Sequence, residues 1–415
     1  MGKAGAWLKY WGQLFLLPVY GLSRLSPRKK EIWLFGSTFG RRFADNPRYF
    51  YLYCGKHAKA LGVRPVWVSK NPELVGYLRR NGHEAYDSRS WKGMCYAARG
   101  KVYLYDNYSK DINFWQSAGG AKINMWHGIP LKKIQADNKH DKFRHPKNLW
   151  EKWKNFPRNL SDEKPSDYVL TTSEYLEPIF SSAFRTKHVL TCGYPRTDYL
   201  ISDEIENLLL PQEQEEMDAV AAFKGKHADG KVVYYMPTFR DSEAKFFQVM
   251  DLQKFQDFLG AGHVLFCVKL HPKSKLREEF MGIASRGFGN ILVVDADSDP
   301  YVLLKKTDIL VTDYSSVYFD FLLLDRPVIF FDYDREEYVT ESRELYFDYE
   351  EMTPGEKAED MEGLIRALKN ACHPSAEYEK QYSAERKSMR DKVFDTPMEL
   401  ASPKLVEDIK EIIGL

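Results

Sequence analysis

The chain of 415 residues has little that would support a disulfide framework or a zinc site. Its five cysteines are odd in number, lie far apart and include no C-x-x-C pair, which is typical of a protein in a reducing cytoplasm. Neither G-x-G-x-x-G nor G-x-x-x-x-G-K-[ST] occurs, so the phosphate loops of dinucleotide-binding and P-loop proteins are missing. Charge of one sign is not in excess, because 60 basic side chains face 59 acidic ones. This balance argues against nucleic acid as the main partner.

A long uninterrupted apolar run is also missing, although a membrane-spanning helix needs about 20 such residues. The nearest candidate is segment 1–30, which mixes aromatic, aliphatic and basic residues and is broken by Lys9, Gln13 and Pro18. We predict an amphipathic helix in the membrane interface, with its basic flank drawn to anionic lipid. A signal peptide would need a small-x-small cleavage site, and no clear one follows. An ordinary buried first helix remains the alternative.

From residue 31 onward, short apolar strands alternate with helical stretches, and each strand ends in small or polar residues. The predicted strands are residues 31–37, 64–69, 101–107, 122–128, 168–173 and 188–195 in a first series, and residues 231–240, 263–272, 291–297, 308–313 and 327–334 in a second. Such alternation predicts parallel sheets with helices on both faces.

The two series indicate an α/β protein with two facing Rossmann-like domains, since the chain is long for a single core. We place an amphipathic segment at 1–30, the N-terminal domain at 31–210, a charged linker at 211–230 and the C-terminal domain at 231–390. Residues 391–415 are predicted to end in an amphipathic helix.

The stretch DILVTDYSSVYFDFLLLDRPVIFF, residues 308–331, reads as a strand, a helix and a second strand. Ligands of such units bind beyond the carboxyl ends of the strands, where helix N-termini offer free N–H groups. Thr312, Ser315 and Ser316 are therefore placed to meet an anion. The alternative is that Ser315 or Asp313 simply caps the helix.

Polar and basic residues follow several predicted strands, where a buried parallel sheet does not need them. They are His127, Arg196 and Asp198 in the first series, and Thr238, Arg240, Asp241, Lys269 and His271 in the second. One such residue is usually structural, but we expect the set to converge on one crevice. Cations and N–H donors there would hold a pyrophosphate, and a histidine would take up a proton.

Two other patterns have a plain interpretation. The acidic pairs Asp295/Asp297 and Asp332/Asp334 are common by chance in a chain with this many carboxylates, so no metal role is expected. The lysine-rich stretch 138–164 predicts a long loop or an irregular helix. Its aromatic residues Trp150, Trp153 and Phe156 lie between basic ones. This stretch is either a solvated surface or a basic, aromatic lip facing an anionic lipid substrate.

Several motifs, in this order, resemble the CDP-glycerol glycerophosphotransferases of teichoic acid and related capsule synthesis. They are HGIPLKK, MPTFRD, KLHP, TDYSSVYFDF and RPVIFFDYD, and FADNPRYFY and GYPRTD further upstream are also similar. The resemblance covers about residues 31–350. It implies a GT-B fold, a CDP-glycerol or CDP-ribitol donor, attack of an acceptor hydroxyl on the β-phosphorus and release of CMP. It further implies a peripheral enzyme at the cytoplasmic membrane face, with an acceptor carried on undecaprenyl pyrophosphate.

The same resemblance implies roles for individual residues and no required cofactor. His127 would be the general base for the acceptor hydroxyl. His271, Lys269 and Arg240 would hold the donor pyrophosphate and stabilise charge on the departing CMP. The remaining residues are Thr238, Thr312, Asp313, Ser315 and Ser316 on the donor and phosphate side, and Asn46, Lys132 and Arg196 on the acceptor side.

Two departures concern acceptor fit or loop shape. Gln135 stands where many relatives have glycine, and Pro354-Gly355-Glu356 replaces an expected Pro-Gly-Pro. The motifs separate neither glycerol from ribitol nor a primase from a polymerase. We expect a primase-like single addition, because little sequence lies outside the two domains. The alternatives are a poly(glycerol or ribitol phosphate) polymerase, a capsule polymer transferase, a GT-B sugar transferase and a non-catalytic, membrane-associated nucleotide-binding protein. The sequence does not indicate an oligomeric state.

Overall fold

The computed structural model describes residues 3–162, 166–240, 244–271, 274–285, 290–335 and 344–415. The chain divides into two compact units. Unit 1 contains the residues up to His127, Ile134–Asn207 and Met398–Leu415, and unit 2 contains Gly128–Lys133 and Leu208–Pro397. Each unit is built on one parallel sheet, which confirms the predicted α/β class.

Unit 1 has, among the described residues, seven parallel strands in the order β3-β2-β1-β4-β5-β6-β7. The strands are β1 Lys29–Gly36, β2 Arg64–Ser69, β3 Ala85–Asp87, β4 Gly100–Tyr105, β5 Ala121–Asn124, β6 Tyr168–Thr171 and β7 Val189–Thr191. Because helices cover both faces, the central strands are continuously apolar, and Ile32 to Phe35 are all buried. The short strand β3 was not predicted, because Ala-Tyr-Asp contains no β-branched residue.

The helices of unit 1 begin at residues with clear sequence signals. Asn71 and Ser90, for example, accept hydrogen bonds from N–H groups in the first turns of their helices. The helices are Lys3–Gly12, Leu17–Ser23, Asp45–Lys56, Ala58–Leu61, Pro72–Arg80, Trp91–Arg99, Leu149–Asp162, Glu177–Phe184, Pro195–Ile201 and Ala401–Ile413. Single 3₁₀ turns lie at Gln13–Leu16, Thr38–Gly40, Ser109–Asp111, Phe114–Gln116, Gln135–Asp137 and Glu174–Leu176.

Unit 2 repeats this architecture with six described strands in the order β10-β9-β8-β11-β12-β13. They are β8 Lys231–Tyr235, β9 Val264–Val268, β10 Ile291–Val293, β11 Ile309–Thr312, β12 Val328–Phe331 and β13 Glu356–Ala358. The helices are Pro211–Lys226, Ala244–Val249, Leu252–Ala261, Leu276–Ala284, Pro300–Leu304, Val317–Phe321 with a 3₁₀ turn at Leu322–Leu324, Tyr349–Met352, Met361–Cys372 and Ala376–Val393. Aromatic side chains such as Phe246, Phe266 and Phe331 fill its core.

The strand order of each unit decides where a ligand can bind. The order reverses between β1 and β4 in unit 1 and between β8 and β11 in unit 2. In parallel α/β sheets, ligands bind beyond the carboxyl ends of the strands at such a reversal, where two loops diverge to opposite faces. The loops after these four strands are therefore the places to look for functional side chains.

Three segments group differently from the predicted division of the chain. The 211–230 stretch, predicted as a linker, contains helix Pro211–Lys226 within unit 2, where Glu213 and Glu216 accept hydrogen bonds from the backbone N–H groups of Asp299 and Asp295 at 2.8 and 2.7 Å. The hexapeptide after His127 also belongs to unit 2, whereas the C-terminal helix belongs to unit 1.

Asp198 of the GYPRTD motif holds the C-terminal helix in place. Its carboxylate accepts hydrogen bonds from the N–H groups of Ala401 at 2.6 Å and Ser402 at 2.9 Å. Burial raises the pKa of Asp198 to about 6, although these hydrogen bonds act in the opposite direction. Asp198 is thus a buried structural residue of helix Pro195–Ile201 that binds the first N–H groups of the C-terminal helix.

Helix Leu149–Asp162, with Pro157 inside it, lies within the stretch 138–164 that was predicted as a long loop or an irregular helix. The last predicted residues of that stretch, 163 and 164, lie outside the described part of the chain. Pro157 is buried, whereas Trp150 and Trp153 are exposed. No helix in the described ranges is both long and apolar enough to cross a membrane.

Candidate active site

His127 lies directly beyond the end of β5, and its side chain is exposed. Its Nδ1 atom is 3.2 Å from the backbone carbonyl oxygen of Asp106. Because a carbonyl oxygen can only accept, this hydrogen bond requires Nδ1 to carry a proton, and the neutral ring then has its lone pair on Nε2. The arrangement provides what a general base needs: an oriented imidazole with one unprotonated nitrogen.

The backbone before His127 is held by a buried amide. Asn46 donates from Nδ2 to the carbonyl oxygens of Met125 at 3.0 Å and Trp126 at 2.9 Å. Trp126 has a φ of 50°, a left-handed conformation that costs a bulky residue free energy and needs such support. The Oδ1 atom of Asn46 accepts from the N–H of Arg196 at 3.2 Å. Asn46, predicted on the acceptor side, therefore contacts protein backbone with both ends of its amide.

The side chain of Arg196, like that of Asn46, is buried inside unit 1. Only 1% of the residue is exposed, and its Nη1 donates to Asp45 Oδ1 at 2.8 Å. Its guanidinium lies 5.0 Å from the centre of the Tyr194 ring. The structure thus brings Asn46, Arg196 and His127 together through the backbone, and the predicted contact of the first two with an acceptor stays a prediction.

Two carboxyl groups near His127 were missed from the sequence. Asp106 follows β4, and its carboxylate accepts from Ser37 Oγ at 2.5 Å, Thr38 N at 3.0 Å and Asn107 Nδ2 at 2.7 Å. Asp111 lies beside it and accepts from three backbone N–H groups. The signal was available, since Asp106 ends a predicted strand in the same way as the other site residues.

Burial raises the pKa of both carboxyls. For Asp106 the nearby Asp45 acts in the same direction, while the hydrogen bonds from Ser37 and Thr38 and the proximity of His127 lower it. The pKa of Asp111 is raised well above its ordinary value by burial and then by the neighbouring Asp106. Burial thus disfavours the charged form of both carboxyls, and the hydrogen bonds that each accepts act in the opposite direction.

In unit 2, Arg240 binds two aspartates at once. Its Nη1 donates to Asp313 Oδ2 at 2.6 Å, and its Nε and Nη2 both donate to Asp334. Asp313 also accepts from the backbone N–H of Thr238 at 2.9 Å and from its hydroxyl at 2.7 Å. The three charged side chains are at most 9% exposed. Arg240 and Asp313 thus tie the loop after β8 to the loop after β11.

The predicted phosphate residues of the 308–331 stretch differ in exposure. Thr312 is fully buried, and its hydroxyl donates to the carbonyl oxygen of Met236 at 2.8 Å. Ser315 and Ser316 are partly exposed, and Ser316 occupies the N-cap position of helix Val317–Phe321 without a side-chain capping hydrogen bond. The alternative role considered for Ser315 or Asp313 is helix capping, and the residue at the N-cap position is Ser316 instead. Because Thr312 is buried, the hydroxyls of Ser315 and Ser316 are better placed to meet a ligand.

A small pocket lies next to Arg240. It is lined by Pro237, Thr238, Phe239, Arg240, Leu270, His271, Ser274, Leu276 and Tyr333. The ring of His271 is 4.6 Å from that of Phe239, and Lys269 donates to the carbonyl oxygen of Asp295 at 2.7 Å. The structure therefore brings Thr238, Arg240 and His271 to one pocket. Asp241 and the proline of the KLHP motif lie outside the described residues.

Lys132 was predicted on the acceptor side, but it lies in unit 2. It pairs in an antiparallel bridge with Leu345, and its Nζ is 5.9 Å from the centre of the Tyr314 ring. The next residue, Lys133, forms an ion pair of 2.5 Å with Glu344. Lys132 thus shares a unit with the donor-side residues rather than with Asn46 and Arg196. Within the described ranges, no group of three or more His, Cys, Asp or Glu side chains is arranged to hold a metal ion.

Two α/β units, each built on a parallel sheet with a reversal of strand order, are typical of the GT-B class. Solved structures agree: a variant of the wall teichoic acid polymerase TagF soaked with CDPG superimposes with a TM-score of 0.72 at 24% identity. That match covers 100% of this chain and 99% of the other. The chain belongs to the family described as CDP-Glycerol:Poly(glycerophosphate) glycerophosphotransferase, which it matches over residues 19–411.

Curated relatives include polymerases and transferases of teichoic acid. The chain is 30% identical to the teichoic acid poly(glycerol phosphate) polymerase of Staphylococcus epidermidis over 372 residues, which is 86% of this chain and 48% of that protein. It is also 30% identical to the teichoic acid glycerol-phosphate transferase of Staphylococcus aureus, over 86% of this chain and 87% of the relative. The chain thus spans about half the length of the first relative and most of the second.

Proposed function

We propose that this protein transfers glycerol phosphate from CDP-glycerol to a hydroxyl of an undecaprenyl-pyrophosphate-linked saccharide. The observation that carries the proposal is the hydrogen bond from His127 Nδ1 to the Asp106 carbonyl, which leaves Nε2 as the basic nitrogen. Nε2 removes the proton of the acceptor hydroxyl, the oxygen forms a bond to the β-phosphorus, and the bond from that phosphorus to CMP breaks. Family membership supports the donor class.

The donor is proposed to bind at the strand ends of unit 2. His271 and Lys269 hold the pyrophosphate oxygens and stabilise the charge that develops on departing CMP, as oriented cations and donors do in phosphoryl transfer. Ser315 and Ser316 contribute hydroxyls. Arg240 acts through the loop that it holds, since its charge is already shared between two carboxylates.

A second candidate function, a polymerase of glycerol phosphate, is favoured by the name of the relative from Staphylococcus epidermidis. Both functions use the same proton transfer and the same leaving group. They differ in the acceptor, because a polymerase extends a chain that already carries glycerol phosphate.

Product mass distinguishes the candidates. The purified protein is incubated with CDP-glycerol or CDP-ribitol, each with a lipid-linked disaccharide and with the same acceptor carrying one glycerol phosphate. We expect CMP release with CDP-glycerol and one added unit of glycerol phosphate on the bare disaccharide. A ladder of masses on the primed acceptor would establish the polymerase instead, and absence of CMP with every pair would contradict both.

A membrane-facing surface is the second part of the proposal. Helices Lys3–Gly12 and Leu149–Asp162 meet where the rings of Trp11 and Trp153 lie 4.3 Å apart, and Tyr10 donates to the carbonyl oxygen of Lys154 at 2.8 Å. Large apolar side chains that remain exposed on this part of unit 1 are Trp7, Leu8, Phe15, Leu22, Leu25, Leu149, Trp150 and Phe156. Exposed Lys152 and Lys154 lie among them.

Such a surface fits the interface of an anionic bilayer, where aromatic rings lie at headgroup depth and lysines meet lipid phosphates. Its position in unit 1 would keep the protein at the cytoplasmic membrane face, near a lipid-linked acceptor. The exposure of Trp7, Leu8, Phe15, Leu22 and Leu25 supports the proposal of an interfacial N-terminal segment.

Vesicle binding tests this surface. The double variant Trp7→Ser/Trp150→Ser is expected to bind vesicles of phosphatidylglycerol and phosphatidylcholine at least tenfold more weakly, because burying one large apolar side chain contributes about 1.5–3 kcal/mol. The control is Trp91→Ser, since Trp91 is 77% exposed on another helix of unit 1. Equal binding by both variants in co-sedimentation would refute the surface.

A further inference from the structure

In both units, an aspartate at the reversal of strand order forms hydrogen bonds to the neighbouring loop. In unit 2, Asp313 after β11 accepts the backbone N–H and the hydroxyl of Thr238 from the loop after β8. In unit 1, Asp106 after β4 accepts the N–H of Thr38 and the hydroxyl of Ser37 from the loop after β1. Each carboxylate thus joins the two loops that diverge at the reversal of strand order.

The two aspartates differ in how the negative charge of the carboxylate is compensated. Asp313 forms an ion pair with Arg240. Asp106, at 2% exposure, forms no ion pair among the described residues and is bonded only to neutral donors. Burying a carboxylate without a paired cation costs free energy. A positive charge that forms nearby during function would interact favourably with it.

His127 is where such a charge would appear. Its ring is hydrogen-bonded to the backbone carbonyl of Asp106, and the nearby imidazole lowers the pKa of the Asp106 carboxyl. The other charged groups around this position include Asp111 in the turn after β4, Asp45 at the start of its helix, and Arg196, which already pairs with Asp45. Lys70 lies near Asp111, and its ammonium donates to the carbonyl oxygens of Phe39 and Lys110. Asp106 therefore combines two features: its backbone carbonyl orients the imidazole, and its side chain is a carboxyl group near the same ring.

We propose that Asp106 is the positioning residue of the general base: its side chain holds the carbonyl that orients His127, and its charge stabilises the imidazolium formed during transfer. This inference rests on the proposed role of His127 as the base. Asp111 accepts hydrogen bonds from the backbone N–H groups of Phe39, Asn107 and Tyr108, and its carboxyl lies next to that of Asp106.

The two buried carboxyls provide a matched pair of isosteric variants. In Asp106→Asn, the amide oxygen still accepts from Thr38, and the amide nitrogen faces Ser37, whose hydroxyl can accept as well as donate. The shape is kept and the charge is lost. Asp111→Asn removes a neighbouring carboxyl of the same size and burial.

Nitrogen-15 NMR of histidine-labelled protein reads out the effect without turnover. The His127 signal is assigned by its loss in His127→Gln. Loss of a negative charge disfavours the imidazolium, so the titration midpoint of this signal should fall in Asp106→Asn and stay in place in Asp111→Asn. Equal midpoints in wild type and Asp106→Asn, or equal shifts in both variants, would overturn the proposal even if the enzyme works as proposed.

Kinetics adds the functional consequence. With CDP-glycerol, kcat of Asp106→Asn is expected to fall about 10- to 100-fold, since a displaced or weakened base costs this much. KM for the donor should change less than twofold, and the acidic limb of the rate profile should move to lower pH. If Asp106 had a purely structural role, kcat of Asp106→Asn and Asp111→Asn would fall by similar factors, and the acidic limb of the rate profile would stay at the same pH. Ser37→Ala, which removes one hydrogen bond to Asp106, should give a smaller loss in the same direction.

Discussion

Replacing His127 by alanine is expected to lower turnover of CDP-glycerol by about 10²- to 10⁴-fold, the usual contribution of a positioned general base. The donor KM should remain close to that of the wild type, because the side chain is proposed to act on the acceptor hydroxyl and the proposed donor residues lie in unit 2. His127 is exposed, so its loss should leave the thermal unfolding of the protein unchanged. Initial rates of CMP release at saturating donor measure the effect.

A second exposed histidine serves as the control. His373, which follows helix Met361–Cys372, has its backbone N–H bonded to Lys369 and its side chain in solvent. His373→Ala should keep the wild-type rate. Turnover within threefold of wild type in His127→Ala would show that another group removes the proton, and a proportional rise in donor KM would place His127 at the donor instead.

Replacing Arg240 by methionine should destabilise unit 2 by about 3–5 kcal/mol, the cost of removing one partner from a buried charged cluster. Methionine keeps much of the volume but leaves Asp313 and Asp334 uncompensated in a site where both are almost inaccessible. Donor affinity should fall as well, since Thr238 and the pocket beside His271 depend on the same loop.

The pH dependence of this loss has a defined sign. At low pH the two abandoned carboxyls can take up protons and become neutral, so the difference in unfolding free energy between wild type and Arg240→Met should be smaller at pH 5 than at pH 8. Urea unfolding at both values measures it. Arg335→Met is the control, because Arg335 pairs with Glu350 at the surface and such a pair contributes at most about 1 kcal/mol. Equal losses in both variants would show that the buried cluster has no special role.

Much of the fold could be predicted from local patterns. The predicted strands correspond to β-strands in the structure, because continuous runs of β-branched and aromatic residues occur where a parallel strand is covered on both faces. Strands β3 (Ala-Tyr-Asp) and β13 (Glu-Lys-Ala) escaped prediction because they lack the β-branched apolar residues that mark the equally short strands β7 and β10. The family could also be recognised, because its motifs follow strand ends in a conserved order along the chain.

The roles of individual polar residues were harder to predict. Asn46, Arg196, Thr312 and Asp313 stand in the right motifs, yet all four are buried and bonded to protein. A strand-end position places a residue at the functional edge of the sheet but leaves the direction of its side chain open. That direction depends on loops that are distant in sequence, such as the one that brings Ser37 to Asp106.

By itself, the sequence determined the class of this protein: two parallel α/β units, the motifs of a glycerophosphotransferase, and an aromatic, basic N-terminal segment. These follow from local periodicity and from residue types at strand ends. Only the tertiary structure decided that Gly128–Lys133 belongs to unit 2 and the C-terminal helix to unit 1, and that the His127 ring is hydrogen-bonded to the backbone carbonyl of Asp106. Such choices depend on hydrogen bonds and packing between residues tens to hundreds of positions apart, and local sequence carries no record of these contacts.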